Sequence, residues 1–385
     1  MRQLVVFQGA SSDARAREIS DAGLTPFTLD IEALRTMLGD CAPARDGWVA
    51  DPHTDKSVRR HIMHIITDKF IRGATVVIST GPDGFLPLGR LAEEAARYRY
   101  TGLLVQLDAT PPEPRGLSGI TRLHAPTDPQ WRAHLACHLS APRIDMDRYA
   151  HIVIIGDLHG AERTFRAMTD DRGPRADTGY VFLGDYITKG PRSGELLSLL
   201  HARFGGHDGT LFLAGNHETA LESWIRGEKR LPAPFLKTAL PSLKRAGVGK
   251  TMAREFLERT VDGAWITWRG QRILATHGGL DHPPDALGLL SAACLRHGTG
   301  VAESDVDSCW ESGVRDGTIA PPDRLFQVHG HRNPHGSPIA AGIGSYNLEG
   351  GIDSGGAIRA LVLSADGETR SLAFPDKDGI GLRAG

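Results

Sequence analysis

The chain has few cysteines, no long apolar run and almost no net charge, and each shortage excludes something. Four cysteines in 385 residues, Cys41, Cys137, Cys294 and Cys309, lie far apart. No two have the close spacing of a zinc knuckle or a redox pair, so they read as reduced thiols in a cytosolic protein. The opening MRQLVVFQGASSD is not built like a signal peptide, because its apolar run, Leu4 to Phe7, is too short. No stretch approaches the length of a membrane span. The expectation is therefore a cytoplasmic protein without a membrane partner. A formal net charge of −2 offers no global field for coating nucleic acid or a membrane surface, which leaves only a local basic face for an anionic partner. Internal repeats and low-complexity tracts are absent too.

At 385 residues the chain is too long for one ordinary core, and its 40% apolar content can fill two. Pro and Gly cluster between Thr110 and Pro142, in TPPEPRG and HAPTDP, and favour loops there. The expected boundary lies near 143–149, giving a first domain over 1–142 and a second over 149–385. In the first, LVVFQGA, ATVVIST and GLLVQLD read as strands. TLDIEALRTML, SVRRHIMHIITDKFIRG and LGRLAEEAARYRY read as helices between them. This alternation predicts an α/β layer fold with a mostly parallel sheet.

In the second domain the strands HIVIIGD, YVFLGD, TLFLAGN, RILATHG, FQVHGH and IRALVLS mostly end in polar clusters. Carboxyl ends of strands are where α/β sheets keep their chemistry. The segment from about 219 to 260 lacks such clusters and reads as a helical cap. It is rich in Lys and Arg (Arg226, Lys229, Arg230, Lys237, Lys244, Arg245, Lys250, Arg254, Arg259), a face for an anionic substrate or an ordinary solvated surface.

The clusters come in a fixed order: Gly156-Asp157-Leu158-His159-Gly160, Gly184-Asp185, Gly215-Asn216-His217-Glu218, His277-Gly278-Gly279 and Gly330-His331. The first three are spaced like βαβ units. A lone histidine is usually a hydrogen-bonded core residue, but five such clusters in sequence, each ending a strand, predict a metal site. Carboxylates, imidazoles and one amide oxygen suit Mn, Fe, Zn or Ni better than Mg or Ca. A carboxylate can bridge two cations about 3.5–4 Å apart, between which a water loses its proton near neutral pH and becomes a nucleophile.

The series GDLHG, GDYITKG, GNHE, HGG, GH resembles the phosphoprotein-phosphatase branch of the calcineurin-like metallophosphoesterases. The closing IDSGGAIRALVLS resembles that family's last strand and turn. The resemblance implies a β-sandwich flanked by helices and two divalent cations, Mn in the first instance. It implies Asp157 and His159 on the first metal, Asp185 bridging both, and Asn216, His277 and His331 on the second. His329 competes with His331. His217 is implied as the general acid. Two positions depart from the family's GDxVDRG. Thr188 stands where a carboxylate usually orients the histidine, and Lys189 where an arginine grips phosphate. Lys189 keeps the charge without the bidentate fork. Arg192, a few residues on, is the candidate to supply that fork.

The first domain begins Gly9-Ala10-Ser11-Ser12-Asp13-Ala14-Arg15-Ala16, a poor match to the phosphate loop GxxxxGK[ST]. Its order of elements is nevertheless similar to the kinase domain of bacterial polynucleotide kinase-phosphatases. Asp30 falls where that kinase keeps its catalytic aspartate. The resemblance implies a degenerate P-loop-kinase-like domain ahead of the phosphatase, and a phosphorylated substrate among nucleic-acid ends or nucleotides. Serine/threonine protein phosphatase, dinucleoside polyphosphate hydrolase, and a catalytically weakened phosphate-binding module are the alternatives. No oligomeric state is implied.

Overall fold

The structure, a computed structural model, describes residues 2–44, 47–108, 119–300, 305–332 and 344–380. Its residues divide into two compact units. One runs to Ser140 and also takes Gly288–Ala292; the other comprises Ala141–Leu287 and Ala293–Gly385. The return of Gly288–Ala292 to the first unit has no signal in the sequence. It is held there by the Ala292 N–H donating to the Gly73 carbonyl (2.9 Å) and by the Thr75 hydroxyl donating to Leu289 (3.1 Å). The TPPEPRG tract lies outside the described residues.

Strands of the first unit are β1 (Gln3–Gln8), β2 (Thr28–Asp30), the hairpin β3 (Cys41–Ala44) and β4 (Gly47–Ala50), β5 (Val76–Thr80), β6 (Thr101–Gln106) and β7 (Ile120–His124). Five of them form a wholly parallel sheet in the order β2-β5-β1-β6-β7. The uninterrupted LVVF of β1 needs apolar cover on both faces, as strands of parallel sheets do. Leu4 and Val6 pack with the helix Asp55–Ile71 through Val58, Ile62, Ile66 and Phe70. Val5 and Phe7 pack with Ile19, Leu24, Trp131 and Leu135 on the other side.

TLDIEALRTML is not helical throughout. Thr28–Asp30 pairs with β5, and the helix begins at Ile31, because the Asp30 carboxylate caps it by accepting the Ala33 N–H (2.9 Å). The same carboxylate accepts from the Ser79 hydroxyl (3.1 Å). In the turn after β1, Ser11 caps the helix Ser12–Asp21. Arg15 is fully buried, and its guanidinium donates to Gly9 O, Glu32 and Ser79 Oγ. The Ala10 N–H donates to the Asp108 carboxylate (2.5 Å).

The second unit contains β8 (Arg143–Asp145), β9 (His151–Ile155), β10 (Thr178–Phe182), β11 (Thr210–Leu213), β12 (Thr260–Val261), β13 (Gly263–Trp268), β14 (Gln271–Thr276), β15 (Leu325–His329), β16 (Ser345–Asn347), β17 (Ala357–Ser364) and β18 (Thr369–Pro375). They form two sheets, β12-β11-β10-β9-β17-β18 and β16-β15-β14-β13-β8. Alternation along each strand divides its side chains between two cores. Ile152 and Ile154 of β9, Val181 of β10 and Leu361 of β17 meet Ile266, Ile273, Phe326 and Val328 of the other sheet. Ile155, Phe182 and Ala360 face away, into a core with Phe165, Leu196, Leu200 and Phe256 of the flanking helices. This is a sandwich with helical cover, the α/β class that the sequence predicts.

Strands β9, β10 and β11 run parallel to one another, and so do β14, β15 and β16. Between β11 and β12 the chain is helical, with Glu218–Arg226, Leu240–Arg245, Lys250–Glu258 and a π-helical turn at Phe235–Ala239. Several of its basic residues are already engaged. Arg226 bonds Glu228, Arg245 bonds Glu195 and the Pro191 carbonyl, Arg259 bonds the Gly205 carbonyl, and Lys250 lies over Trp224.

Candidate metal centre

Parallel strands deliver their following residues to one edge, and here two sets of three do so. The loop after β9 carries Asp157 and His159, the loop after β10 Asp185, and the loop after β11 Asn216 and His217. His277 follows β14, His331 follows β15, and Glu349 follows β16. Their ligand atoms form three overlapping groups: His159 with Asp185 and His217, Asp185 with His277 and His331, and Asp157 with His159 and Glu349. Within each group the atoms lie within 4.8 Å of one another. Asp185 belongs to two of the groups. Asp157, His159, Asp185, Asn216, His217 and His331 line a cavity of about 500 Å³, together with Lys189, Glu349, Gly350, Gly351 and Asp353.

Local backbone strain marks the same positions. His159, Asp185, Thr188, Lys189 and His331 all adopt positive φ, between +41° and +71°. Such conformations cost on the order of 1–3 kcal/mol each and persist where the surroundings over-determine them. Two glycines make room for the carboxylates. A Cβ at Gly330 would lie 2.2 Å from Asp157 Oδ1, and one at Gly215 would lie 2.2 Å from Asp185 Oδ1.

The imidazoles are aimed by their outer nitrogens. Nδ1–H of His277 donates to the Leu183 carbonyl (2.8 Å). Its Nε2 then faces Asn216 Oδ1 at 3.0 Å and Asp185 Oδ2 at 3.4 Å. His159 points Nδ1 at the Ile187 carbonyl (3.4 Å) and Nε2 at Asp157 and Asp185, each at 3.8 Å. A backbone carbonyl on the far nitrogen is the usual support of a metal-ligating histidine. His329 is turned elsewhere. Its Nε2 meets Asp307 (3.0 Å), which places it in a buried cluster with Ser345 and Asn347. Of these two, His331 is the one whose ring nitrogen joins Asp185 and His277.

The electrostatics ask for cations. Burial drives the Asp157 carboxyl well above its ordinary value, and the Glu349 and Asp185 carboxylates push it further. Burial alone would raise Asp185 too, but His277, His159 and His217 around it bring its carboxyl well below the usual range. Burial lowers His331 to about 3 and His217 to about 4, so both offer neutral lone pairs at pH 7. Asp157 Oδ1 is buried without a hydrogen-bond partner. An orphaned buried oxygen is costly unless something binds it. The orphaned oxygen, the converging donors and the glycine cradles all fit divalent cations.

The remaining positions sort clearly. The Thr188 hydroxyl is hydrogen-bonded to Nδ1 of His217. Lys189 lines the cavity and is paired with Asp353. Arg192 does not line it, because its guanidinium faces Glu162 (3.8 Å) and Asp378 (3.9 Å); the expected phosphate fork is therefore spent on acidic partners. None of the nine basic cap residues lines it either. Glu349 and Asp353 also line the site. Asp353 lies in the closing IDSGGAIRALVLS, whereas Glu349, one leucine beyond β16, belongs to no motif read from the sequence. A second, more apolar cavity of about 330 Å³ shares Asn216 and His217 with the first and is also lined by Ala220, Pro232, Pro234 and Phe235.

Residues 150–354, more than half the chain, match the family model described as calcineurin-like phosphoesterase. Among solved structures, the chain is similar to a protein serine/threonine phosphatase from Saccharomyces cerevisiae with similarity to human phosphatase PP5. That match has 14% identity, covers 64% of this chain and 90% of that one, and has a TM-score of 0.42. A cold-active protein-tyrosine phosphatase of the psychrophile Shewanella sp. matches at 14% identity over 61% and 83% of the two chains, with a TM-score of 0.38. A metallophosphoesterase from Sphaerobacter thermophilus matches at 15% over 58% and 87%, with a TM-score of 0.35.

Proposed function

The chain belongs to the calcineurin-like phosphoesterase family and is a metal-dependent phosphatase, and we propose that it hydrolyses phosphomonoesters, or cyclic and diester ends, of nucleic acid or nucleotides. The observation that carries this reading is Asp185, whose one carboxylate belongs to two groups of metal donors at the strand edge. The cations, Mn in the first instance, would be held by Asp157, His159 and Asp185 and by Asp185, Asn216, His277 and His331. When bound they lower the pKa of water and draw charge from phosphoryl oxygens. The protein's own part is positional. Asp185 is held by the His217 N–H on Oδ1 (2.9 Å). His217 presents Nε2 to the cavity, 3.9 Å from Asp185, where it can pass a proton to the leaving oxygen. Lys189 brings the one cationic side chain among the cavity-lining residues.

Two features support the nucleotide class. The apolar cavity beside His217, with Phe235 and two prolines, suits the planar base of a leaving nucleoside. A wholly parallel sheet unit precedes the phosphatase unit, as in the kinase-phosphatase order. For that first unit we propose a degenerate kinase-like domain that transfers no phosphate. Arg15, at the place of the phosphate-loop lysine, is committed to Glu32, Ser79 and a carbonyl, and the Asp108 carboxylate takes a backbone N–H that a phosphate loop would offer. Mg²⁺-dependent phosphorylation of a 5′-OH oligonucleotide would overturn this second reading.

The principal reading is tested by phosphate release in Mn²⁺ from an aryl phosphate, 3′- and 5′-phosphorylated oligonucleotides, a dinucleoside tetraphosphate and a phosphothreonine peptide. Wild type is expected to act fastest on an oligonucleotide, with Asp185→Asn inert. A wild type that prefers the peptide or the dinucleotide would move the substrate class. A wild type as inert as the variant, with cations bound, would favour a phosphate-binding module.

A further inference from the structure

Six residues account for the two cation positions described above, Asp185 serving both, yet a seventh donor stands in the same space. Glu349, on the loop after β16, places a carboxylate oxygen within 4.8 Å of ligand atoms from both Asp157 and His159. We propose that Glu349 is an additional protein ligand of the first cation and makes that position the harder of the two. The inference rests on the two-metal reading of this site and concerns which atoms fill it.

Three features of the site support this role. Asp157 Oδ1 is buried and has no hydrogen-bond partner, so the space that Glu349 enters already contains an oxygen calling for a cation. Glu349 is held from behind. One carboxylate oxygen accepts the Gly351 N–H (2.5 Å), and its backbone N–H donates to Asn347 Oδ1 (3.1 Å). A side chain fixed this way loses little rotamer freedom on ligation. Third, the donor types are unequal. Asp157, His159, Asp185 and Glu349 would offer the first cation three oxygens and one nitrogen. Asp185, Asn216, His277 and His331 would offer the second two oxygens and two nitrogens. Carboxylate-rich sets favour hard cations such as Mn²⁺ and Mg²⁺, and imidazole-rich sets suit Zn²⁺. A third carboxylate also lowers the residual charge of two divalent cations and their carboxylates from two positive to one. That strengthens cation retention on this side.

The experiment is Mn²⁺ binding to metal-stripped full-length protein. Bound metal is counted by mass spectrometry after desalting, and the state of the ion is read from its electron paramagnetic resonance spectrum. Wild type is expected to hold two Mn²⁺ with a spin-coupled signal. Glu349→Gln, which is isosteric and keeps an acceptor for Gly351, is expected to bind one of the two at least tenfold more weakly and to show an isolated-ion signal. Glu349→Asp, which keeps the charge but withdraws it by one methylene, should fall between and serves if the glutamine variant does not fold. Two Mn²⁺ of unchanged affinity in both variants would overturn the proposal while leaving the two-metal reading intact. A wild type that holds no pair of cations would overturn that reading itself, and this inference with it.

Discussion

The hydroxyl of Thr188 is hydrogen-bonded to Nδ1 of His217, so a neutral group holds the ring that faces Asp185. The same hydroxyl reaches the Ile187 carbonyl. With its one proton given to that carbonyl, the Thr188 oxygen accepts from Nδ1–H of His217 and leaves Nε2 toward the cavity. This settles how the ring is oriented without a carboxylate, and it fixes what the exchange costs. A hydroxyl aims the imidazole, but it stabilises imidazolium far less than a negative charge does.

That difference is measurable in pH profiles. Burial lowers His217 to about 4, so at pH 7 only about one ring in a thousand carries the proton a general acid needs. Thr188→Asp adds a charge that favours the protonated ring. It is expected to raise kcat at pH 7 roughly tenfold and to carry the alkaline limb of the profile upward. Thr188→Val should lower kcat about tenfold or more at unchanged cation content. Coincident profiles for all three proteins would dismiss the role of this contact.

Removing the ring itself tests proton delivery. His217→Ala should slow hydrolysis of alkyl or nucleoside phosphates by about 10²–10⁴-fold. A nitrophenyl ester, whose leaving group needs no proton, should lose far less. Plotting log kcat against leaving-group pKa gives the check: the variant's line should be steeper. Parallel lines would mean that His217 does not deliver the proton.

Gly215 reads out the cradle. A Cβ there would stand 2.2 Å from Asp185 Oδ1, so Gly215→Ala must displace the carboxylate shared by two donor groups. The variant is expected to lose both cations in a metal count. Gly206→Ala, with no atom within 4 Å of the added methyl, should retain them and serves as the control.

Glu218 is a structural acid. Fully buried, it accepts backbone N–H groups from Gly215 (2.8 Å), Asp185 (2.9 Å) and Tyr186 (3.0 Å), tying the loops after β10 and β11 together. In Glu218→Gln the amide nitrogen would oppose at least one of these donors. Leaving a buried donor unmade costs about 1–3 kcal/mol. A urea titration should show a loss of that size or somewhat more, with the slope unchanged.

Asp307 makes the second unit acid-sensitive. Burial would raise its carboxyl, but bonds from His329, Ser345 and Asn347 more than offset this and leave it below its ordinary value. A carboxyl depressed on folding adds stability that is present above the unfolded pKa near 4 and is lost as pH falls through the folded one. Thermal melts from pH 7 to pH 3 should drop below about pH 4, and Asp307→Asn should flatten that drop. An unchanged slope would mean the cluster carries no such linkage.

Much of this protein is written locally. Apolar runs of strand length followed by GD, GNH or HG announce both the strands and the residues after them, because a parallel strand and the sharp turn at its end each leave a short-range mark. The alternation of HIVII and YVF likewise encodes two faces, and hence a sheet with cover on both sides. What no local pattern carries is which distant loops share a point in space. That Thr188 would meet His217, that Arg192 would turn to Glu162 and Asp378, that His329 would bury itself against Asp307 and leave His331 to the site, and that Glu349 would arrive beside Asp157 all depend on the order of strands in two sheets packed face to face. The sequence by itself determined the kinds of side chain and the strand ends that bear them. Tertiary structure alone decided their partners, since contacts between residues tens to hundreds of positions apart are set by sheet topology and core packing, which short-range propensity does not encode.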